Sequence, residues 1–468
     1  MTPLWTRDEA VAATGGSCAI DWQASGVSID TRTLQKGDIY VALSAARDGH
    51  DFVADALNKG AAAALVSRIP AGLEGAPLLQ VPDVLKGLEA LGIAARARCN
   101  AKIVAITGSV GKTGSKEMLR CALMGQAKLH VAEKSYNNHE GVPLTLARMP
   151  QDTEIAICEI GMNHPGEIAP LTKMVRPHIA MITTVAPVHL AAFGTVRDIA
   201  LEKSAIFAGI EPEGIGILNA DLPDFDVLCD AATAAGAKVV TFGTQGKIVL
   251  NNVDLVAGVT VARASNNGTD FIFKLNTSGA HLAMNALGVL AVVDALGADI
   301  ARATLGLMDW QVPDGRGASY RVALGPAGLD GAFTLINESY NANPASVAAA
   351  LDVLASSQGR KIAILGDMLE LGETSLALHK ALSTLPSFES IDKIHCVGPQ
   401  MATLHAALPI DKRGLSTPDS AEMAAKIARL IRPDDVVMVK GSLGTNMALI
   451  VDAIKNMGEA TSQTTGSF

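Results

Sequence analysis

The stretch KIVAITGSVGKTGSKEML, residues 102–119, joins an apolar run, a glycine-rich turn and the start of a helical pattern. The run KIVAIT predicts a buried strand. Glycine accepts positive φ, so GSVG can turn tightly and point successive backbone N–H groups at an anion. A helix that begins near Lys112 adds the positive end of its dipole. These features predict a phosphate-binding loop at a strand–helix junction.

The loop departs from the common P-loop, because Ile106 stands where that motif has its first glycine. It reads T-G-S-x-G-K-T instead. In such a loop Lys112 can reach the β- and γ-phosphates and the Thr113 hydroxyl can ligate Mg²⁺. A plain glycine turn with a surface lysine is the alternative, but the strand–loop–helix context favours nucleotide binding. The expected ATP contacts here are Thr107, Gly108, Ser109, Val110, Gly111, Lys112 and Thr113.

Composition restricts the class of protein. The chain has 468 residues, of which 49% are hydrophobic and 18% charged, so we expect a globular protein of several domains. Its net charge of −9 argues against a nucleic acid partner, although a local basic pocket could hold a small anion. Six widely spaced cysteines are typical of reduced thiols in a cytoplasmic protein. We expect no signal peptide, because the N-terminus has no basic start followed by an apolar run. We expect no membrane insertion, since no apolar run reaches about 18 residues.

The chain divides into three predicted α/β domains. Residues 1–100 show short strands and helices, and residues 101–313 show apolar runs alternating with helices, which indicates a parallel sheet covered on both faces. An antiparallel excursion is predicted at 248–276, around an Asn-Asn-Gly turn. A Pro- and Gly-rich boundary at 311–319 leads to a third, Rossmann-like domain, 314–468. The polar tail 458–468 is expected to fray.

The loop T-G-S-x-G-K-T resembles that of the Mur ligase family, ATP-dependent amide ligases that include the folylpolyglutamate synthetases. Four further segments resemble the family: EKSYNNHEGVPLTL (133–146), CEIGMNHPGEI (158–168), TTVAPVHLAAFGT (183–195) and LEKSAIF (201–207). The resemblance implies magnesium binding by Glu159 and His189, and a carbamylated lysine at Lys203. It also implies substrate contacts from Asn137, Asn138, Asn163 and His164.

Taken singly, each of these residues has an ordinary explanation. Glu159 would be a solvated strand-end charge, His189 a core or surface histidine, and Lys203 a helix-surface lysine. Their order and spacing favour the family roles. We therefore expect Thr113, Glu159, His189 and Lys203 to form a metal site, and Lys112, Glu159, His189 and Lys203 to be the catalytic set.

The C-terminal third resembles one branch of the family, the one that adds D-alanyl-D-alanine. The segment NESYNANPASVAAALDVL (337–354) carries this resemblance, together with GDMLELG (366–372) and KGS (440–442). Asn343 can cap the following helix, with Pro344 at its first position. The resemblance also implies that Tyr340, Asn341 and Asn343 contact substrate, and that Arg316 faces the phosphates.

The N-terminal segments SIDTRTLQKGDIYVAL (28–43) and ARDGHDF (46–52) resemble the family's UDP-sugar domain. The residues implied to contact uridine and diphosphate are Ser28, Asp30, Thr31 and Arg32. Folylpolyglutamate synthetases lack this domain, so its presence favours a ligase that acts on a UDP-linked substrate.

Three positions depart from the family pattern. Leu282 replaces an asparagine in GAHLAMN, which leaves His281 and Asn285 as candidates near adenine and ribose. The motif at 337 begins Asn337-Glu338 instead of Asp-Asp, and Glu338 keeps the carboxylate expected near ATP. The segment PDGRGAS lacks the usual Gly-Arg-Leu ending.

The resemblance implies a ligase that uses ATP and Mg²⁺ to join UDP-MurNAc-tripeptide to D-Ala-D-Ala through an acyl phosphate, as a monomer. It leaves open the third residue of the tripeptide and the carbamylation of Lys203. Alternatives are a sister ligase or a folylpolyglutamate synthetase, a non-catalytic nucleotide-binding regulatory module, and a small-molecule kinase.

Overall fold

The computed structural model describes residues 3–44, 46–256 and 258–462, without the side chain of residue 327. The chain forms a small N-terminal unit, a large central unit and a C-terminal unit, each built on a mostly parallel sheet with helices. Among these residues, no helix is both long and apolar enough to cross a membrane.

The N-terminal unit has a four-stranded parallel sheet in the order β3-β4-β5-β6, beside the antiparallel pair β1-β2. Its elements are β1 (Trp5–Thr6), α1 (Arg7–Thr14), β2 (Gln23–Ala24), β3 (Gly26–Ser28), β4 (Asp38–Val41), α2 (Val53–Asn58), β5 (Ala63–Val66), β6 (Leu78–Gln80) and α3 (Val84–Arg98). The sequence predicts β4, α2, β5 and α3 from the patterns KGDIYVAL, DFVADALNKGA, AALVS and DVLKGLEALGIAARARC, respectively. It does not predict β3 and β6, because three residues are too few to show a periodicity.

The central unit contains a nine-stranded sheet in the order β15-β14-β13-β12-β11-β10-β7-β9-β8. The strands from β7 to β13 pair in parallel, and β14 and β15 complete the predicted antiparallel excursion. The strands are β7 (Lys102–Thr107), β8 (Leu129–Val131), β9 (Ile155–Glu159), β10 (Ile179–Ile182), β11 (Ile215–Asn219), β12 (Lys238–Gly243), β13 (Ile248–Val256), β14 (Val259–Asn266) and β15 (Thr269–Leu275). The helices are α4 (Lys112–Leu123), α5 (Gly141–Ala147), α6 (Ile168–Val175), α7 (Leu190–Phe193), α8 (Val196–Ser204), α9 (Phe225–Ala234), α10 (Ala280–Ala295) and α11 (Ile300–Gly306).

Both faces of this sheet are buried, which explains why its strands are apolar throughout. On β7, Val104 and Ile106 enter the core beneath α4 and α10, whereas Ile103 and Ala105 enter the opposite core. All four side chains have zero exposure. Alternating positions of one strand therefore fill two separate cores.

The C-terminal unit has a seven-stranded sheet in the order β20-β19-β18-β21-β17-β16-β22, in which β16 and β22 are antiparallel additions. Its elements are β16 (Ala318–Ala323), β17 (Ala332–Glu338), α12 (Pro344–Ser356), β18 (Arg360–Gly366), α13 (Ser375–Ala381), β19 (Lys393–Val397), α14 (Met401–Ala407), β20 (Arg413–Thr417), α15 (Ser420–Lys426), β21 (Asp435–Lys440), α16 (Ala448–Lys455) and β22 (Glu459–Ser462). The prediction that the tail frays is wrong for β22, because its backbone pairs with β16. The rest of that tail, 463–468, lies outside the described residues.

The N-terminal unit is fastened to the central unit by its last helix. Arg96 on α3 is buried and donates to the carbonyls of Val175 and Arg176, each at 2.9 Å, and to Glu211 at 3.3 Å. The guanidinium thus satisfies carbonyls at the C-terminal end of α6. We keep 1–100, 101–313 and 314–468 as the proposed domain limits.

Candidate active site

The phosphate loop lies where three parallel strands end together. Ile106 on β7 pairs with Glu159 on β9, and Thr107 pairs with Ile182 on β10. Gly111 has a φ of 89°, and a Cβ there would lie 2.8 Å from the side-chain nitrogen of Asn285. The loop therefore needs glycine at this position, and Asn285 from α10 supports it from behind.

The loop has fewer free donors than a full nest. The Ser109 N–H donates to the Thr184 carbonyl at 2.8 Å. A contact between Ser109 and a phosphate stays a prediction. The Ser109 hydroxyl donates to the Ala186 carbonyl at 3.1 Å, and the Val110 carbonyl accepts from Thr183 Oγ1 at 2.6 Å. These bonds tie the loop to the segment after β10. The first N–H groups of α4 have no partners within the helix, so they remain the candidate donors to a phosphate.

Lys112 stands at the first position of α4, and its Nζ donates to the Gly108 carbonyl at 2.7 Å. Burial lowers the pKa of Lys112, the Glu159 carboxylate raises it, and Arg316 lowers it further. These three charges therefore act on one small region. Lys112 closes over the loop, where it can neutralise a bound phosphate.

Glu159 is the centre of a polar cluster at the end of β9. Thr113 Oγ1 lies 3.1 and 2.9 Å from its two carboxylate oxygens, and Asn137 donates to it at 2.7 Å. Ser135 Oγ lies 2.9 Å from Thr113 Oγ1. Glu159 is 1% exposed. A carboxylate and two hydroxyls form a hard oxygen donor set, so the residues present fit Mg²⁺.

His189 does not join this cluster. Its Nδ1 is hydrogen-bonded to Glu370 of the C-terminal unit, and the backbone N–H of Ala191 donates to the Glu370 carbonyl at 3.2 Å. Within the described ranges, no group of three or more His, Cys, Asp or Glu could hold a metal ion. The predicted ligand set is therefore assembled only in part, because the segment after β18 packs on this loop and offers Glu370 to the ring.

Lys203 lies near the end of α8 and is 2% exposed, so it is not the helix-surface lysine of the ordinary explanation. Its Nζ contacts Met162 Sδ at 3.9 Å. Burial and the nearby Lys112 lower the pKa of Lys203 well below its usual range. Burial lowers the pKa of His189, and the charges of Lys112 and Lys203 also lower it. The three side chains therefore lie near one another.

Arg316 bridges the central and C-terminal units. Its guanidinium lies 4.0 Å over the Tyr340 ring, and its Nη2 is 3.4 Å from Ser135 Oγ. Beside it a cleft of about 920 Å³ opens between the two units, lined among others by His281, Leu282, Arg316 and Glu338. Three predicted nucleotide contacts thus share one cleft, and Leu282 contributes an apolar wall to it.

The SYNANP segment is held by a local helix cap and by bonds from Lys440 on β21. Asn343 caps α12 by accepting from the Ser346 N–H at 2.9 Å, and the Ser346 side chain returns the bond. Glu338 forms a 3.0 Å ion pair with the buried Lys440, which also donates to the Asn341 carbonyl at 3.0 Å. Capping and this ion pair account for the shape of the segment at the carboxyl end of β17.

Two other groups of predicted contacts lie on loops. The side-chain oxygen of Asn138 accepts from the Gly141 N–H at 2.8 Å, at the start of α5. The exposed Asn163 and His164 both bond to Glu167.

In the N-terminal unit, Ser28 Oγ donates to the Asp30 carbonyl at 3.1 Å, and the Thr31 carbonyl accepts from Lys59. Hydrogen bonds from Arg32, with a smaller contribution from the charge of Lys134 in the central unit, lower the pKa of Asp30 to about 2. The loop after β3 therefore faces the segment that carries Ser135.

Sequence reasoning missed several residues that organise the site. Lys116 has zero exposure and donates to the carbonyls of Ala132 and Lys134 at 2.6 and 3.1 Å. Its spacing of four from Lys112 on one helix was the available signal. Ser135 lies within the family-like segment 133–146. No local sequence pattern indicates Glu370 as a partner of His189.

Residues 106–293 match the family model described as the Mur ligase middle domain, and residues 327–443 match the one described as the Mur ligase, glutamate ligase domain. The chain is 30% identical over 458 residues to the UDP-N-acetylmuramoyl-tripeptide–D-alanyl-D-alanine ligase of Rickettsia prowazekii, covering 96% of this chain and 99% of the relative. It is 33% identical over 450 residues to the ligase of the same name from Escherichia coli, covering 94% and 95%. The crystal structure of MurF from Acinetobacter baumannii superposes with a TM-score of 0.84 at 29% identity, covering 96% and 99%. The chain therefore belongs to the Mur ligase family.

Proposed function

We propose that the chain is an ATP-dependent ligase that joins D-alanyl-D-alanine to UDP-N-acetylmuramoyl-tripeptide, releasing ADP and phosphate. The observation that carries the proposal is the meeting of Glu159, Thr113 and Arg316 around the N-terminus of α4. The named ligases from Rickettsia prowazekii and Escherichia coli support the substrate assignment, since they align with this chain over nearly their whole length.

The chemical problem is that a carboxylate is a poor electrophile. The proposed solution is transfer of the γ-phosphoryl group of ATP to the terminal carboxylate of the tripeptide. The amine of D-Ala-D-Ala then attacks the acyl carbon, and the tetrahedral adduct collapses to an amide and phosphate. Lys112 and the N-terminus of α4 would hold the phosphates as their charge moves, and Arg316 would approach them from the C-terminal side.

The metal role is assigned to Thr113 and Glu159, with His189 and Lys203 as further contributors. Bound Mg²⁺ would offset the charge of the phosphates at this point. For His189 to contribute, its ring has to release Glu370. The contact between these two side chains is therefore expected to be exchanged during turnover.

Lys203 is proposed to be carbamylated. A buried lysine with a depressed pKa has a neutral, nucleophilic amine, which is the form that adds to carbon dioxide. The carbamate would carry a negative charge toward Lys112, which lies close enough to perturb the pKa of Lys203. An anion at this position would relieve the repulsion between two buried cations.

The alternative functions account for fewer features of the chain. A folylpolyglutamate synthetase has no use for the N-terminal sheet, where Asp30 and Arg32 stand beside the central unit. A regulatory module or a kinase would not need a third unit closing over the phosphate loop. All six cysteines are free thiols, which supports the proposed cytoplasmic location, and we propose a monomer.

The test is phosphate release from ATP and Mg²⁺, with UDP-MurNAc-tripeptide and D-Ala-D-Ala added singly and together. We expect release only with both, together with a product of pentapeptide mass. A Glu159→Gln variant is the matched control, because it keeps the shape of the cluster and removes its charge. Nucleotide binding without release when both substrates are present would favour the regulatory module, and release with a single acceptor would favour the kinase.

A further inference from the structure

The linker that carries Arg316 is anchored to one side of the cleft by Asp314. Oδ1 of Asp314 accepts from Asn337 Nδ2 at 2.6 Å, from the Tyr320 hydroxyl at 2.8 Å and from the Gly315 N–H at 3.0 Å. Asn337 lies on β17 and Tyr320 on β16, which are neighbouring strands of the C-terminal sheet. Asp314 therefore fastens the linker to the C-terminal unit, two residues before Arg316.

The orientation of this anchor is set by its surroundings. Asn337 is 3% exposed, and its Oδ1 accepts from the N–H and hydroxyl of Ser339 at 3.2 and 2.7 Å. Its amide nitrogen must therefore face Asp314. Lys455 on α16 lies 3.7 Å from the Tyr320 ring and 3.9 Å from Asp314 Oδ2. The carboxylate is thus held from three elements of the same unit.

Arg316 belongs to the same rigid group. Its guanidinium stacks 4.0 Å over the Tyr340 ring, and the Tyr340 N–H donates to the Gly315 carbonyl at 3.0 Å. Across the cleft, its Nη2 is 3.4 Å from Ser135 Oγ, which is 2.9 Å from Thr113 Oγ1. Arg316 therefore reaches the phosphate loop as part of the C-terminal unit.

Without this anchor, the backbone on either side of Arg316 would be free to rotate. Gly315 and Gly317 flank it with φ values of 76° and 116°, a region that glycine enters without strain. A side chain between two glycines loses much conformational entropy when it is fixed. An anchor next to this segment removes that cost before the nucleotide binds.

We infer that Asp314 is a positioning residue that fixes Arg316 on the C-terminal unit, so that docking of this unit delivers the guanidinium to the phosphates. What Arg316 does in turnover rests on the proposed function, whereas the anchor itself does not. Asp314 acts only by holding Arg316 in place. Its effect on nucleotide binding and on turnover must therefore depend on the presence of Arg316.

The test is a double-variant cycle on the full chain, read by the affinity of a fluorescent ADP analogue and by kcat. We expect Asp314→Ala to weaken nucleotide binding and lower kcat by about tenfold each, and Arg316→Ala by at least as much. The double variant should be no worse than Arg316→Ala. If Asp314→Ala causes the same factor of loss in the Arg316→Ala background, its role is only structural and the inference is overturned.

A residue exchange protects the test against misfolding. Asn337→Asp alone places two carboxylates at 2.6 Å spacing, so we expect a larger loss than for Asp314→Ala. Adding Asp314→Asn restores one amide facing one carboxylate. The affinity for the ADP analogue and kcat should then return to within about threefold of the unaltered chain. No recovery in this pair, with an unchanged melting temperature, would also overturn the inference.

The two readouts separate the inference from the proposed function. Nucleotide affinity that follows the cycle, without phosphate release by the unaltered chain when both substrates are present, would refute the proposed function and leave the anchor standing. Normal turnover with no coupling between Asp314 and Arg316 would support the proposed function and refute the role of Asp314 as an anchor.

Discussion

Replacing Lys116 by methionine tests how the segment before Ser135 is held. Methionine is similar in length, so the change removes donors and leaves little cavity. The Ala132 carbonyl loses its partner, which costs about 1–3 kcal/mol. The Lys134 carbonyl loses one of two donors and keeps the Tyr136 N–H at 2.8 Å. Lys116 also forms an ion pair with Glu117 at 3.0 Å, and after the change Glu117 keeps Arg120 at 2.7 Å. We therefore expect the local opening free energy of this segment to fall by about 2 kcal/mol.

The same change should reach the active site. The Lys134 carbonyl is fixed 3.1 Å from Lys116 Nζ, and the next residue, Ser135, contacts both Thr113 and Arg316. Small displacements of groups that position reactants reduce rates strongly. We expect kcat to fall by about tenfold or more, with a smaller change in the KM for ATP.

Hydrogen exchange measured by mass spectrometry is the assay that localises the effect. Amides of β8 and the segment after it should exchange about thirtyfold faster, the equivalent of about 2 kcal/mol. The control is Lys128→Met, because Lys128 is exposed and its pair with Asp152 at 3.1 Å is of a kind worth at most about 1 kcal/mol. Exchange and kcat that are the same in both variants would refute the reasoning.

Three further outcomes are expected. Lys203→Met should lose at least about a hundredfold in kcat, and a carbamate signal from isotopically labelled bicarbonate, measured by NMR, should be present in the unaltered chain and absent in the variant. Asn343→Ala removes the cap of α12 and should cost about 1 kcal/mol, seen as a lower melting temperature; an unchanged melting temperature would contradict the capping assignment. Burial lowers the pKa of His395 to about 4, and its Nδ1 accepts from the Leu415 N–H. The unfolded chain, with a histidine pKa of about 6.5, binds this proton more readily, so up to about 3 kcal/mol of stability should be lost as pH falls from 6.5 to 4. In His395→Gln the corresponding part of the pH slope should disappear, which denaturation at a series of pH values would measure.

The strands that could be predicted are the long ones whose side chains enter two cores. The run at 102–107 shows this, because its burial leaves no position for a polar residue between Ile103 and Thr107. Short strands such as β8 have only partly buried side chains, so they leave no pattern to detect. Strand β22 was missed because its four residues are all exposed, and it exists through backbone pairing alone.

Some residues of the site could likewise be predicted from local sequence patterns, and others could not. Gly111, Lys112, Thr113 and Glu159 could be placed from sequence, because the register of parallel strands brings the ends of β7 and β9 to one edge. The partners of His189 and Arg316 could not be placed, since they lie far away in sequence. His189 meets Glu370 only because the C-terminal unit packs against the loop after β10, and that arrangement is written in no local motif.

The contact with Asp314 explains why asparagine stands at position 337, where the family motif usually has aspartate. The family motif usually begins Asp-Asp, and an aspartate here would face Asp314 at 2.6 Å with no donor between them. An amide at 337 supplies that donor while its oxygen still serves Ser339. The two positions should therefore vary together among relatives: a carboxylate at 314 requires a donor at 337. Relatives that carry aspartate at both positions, with full ligase activity, would show that the linker is held in another way.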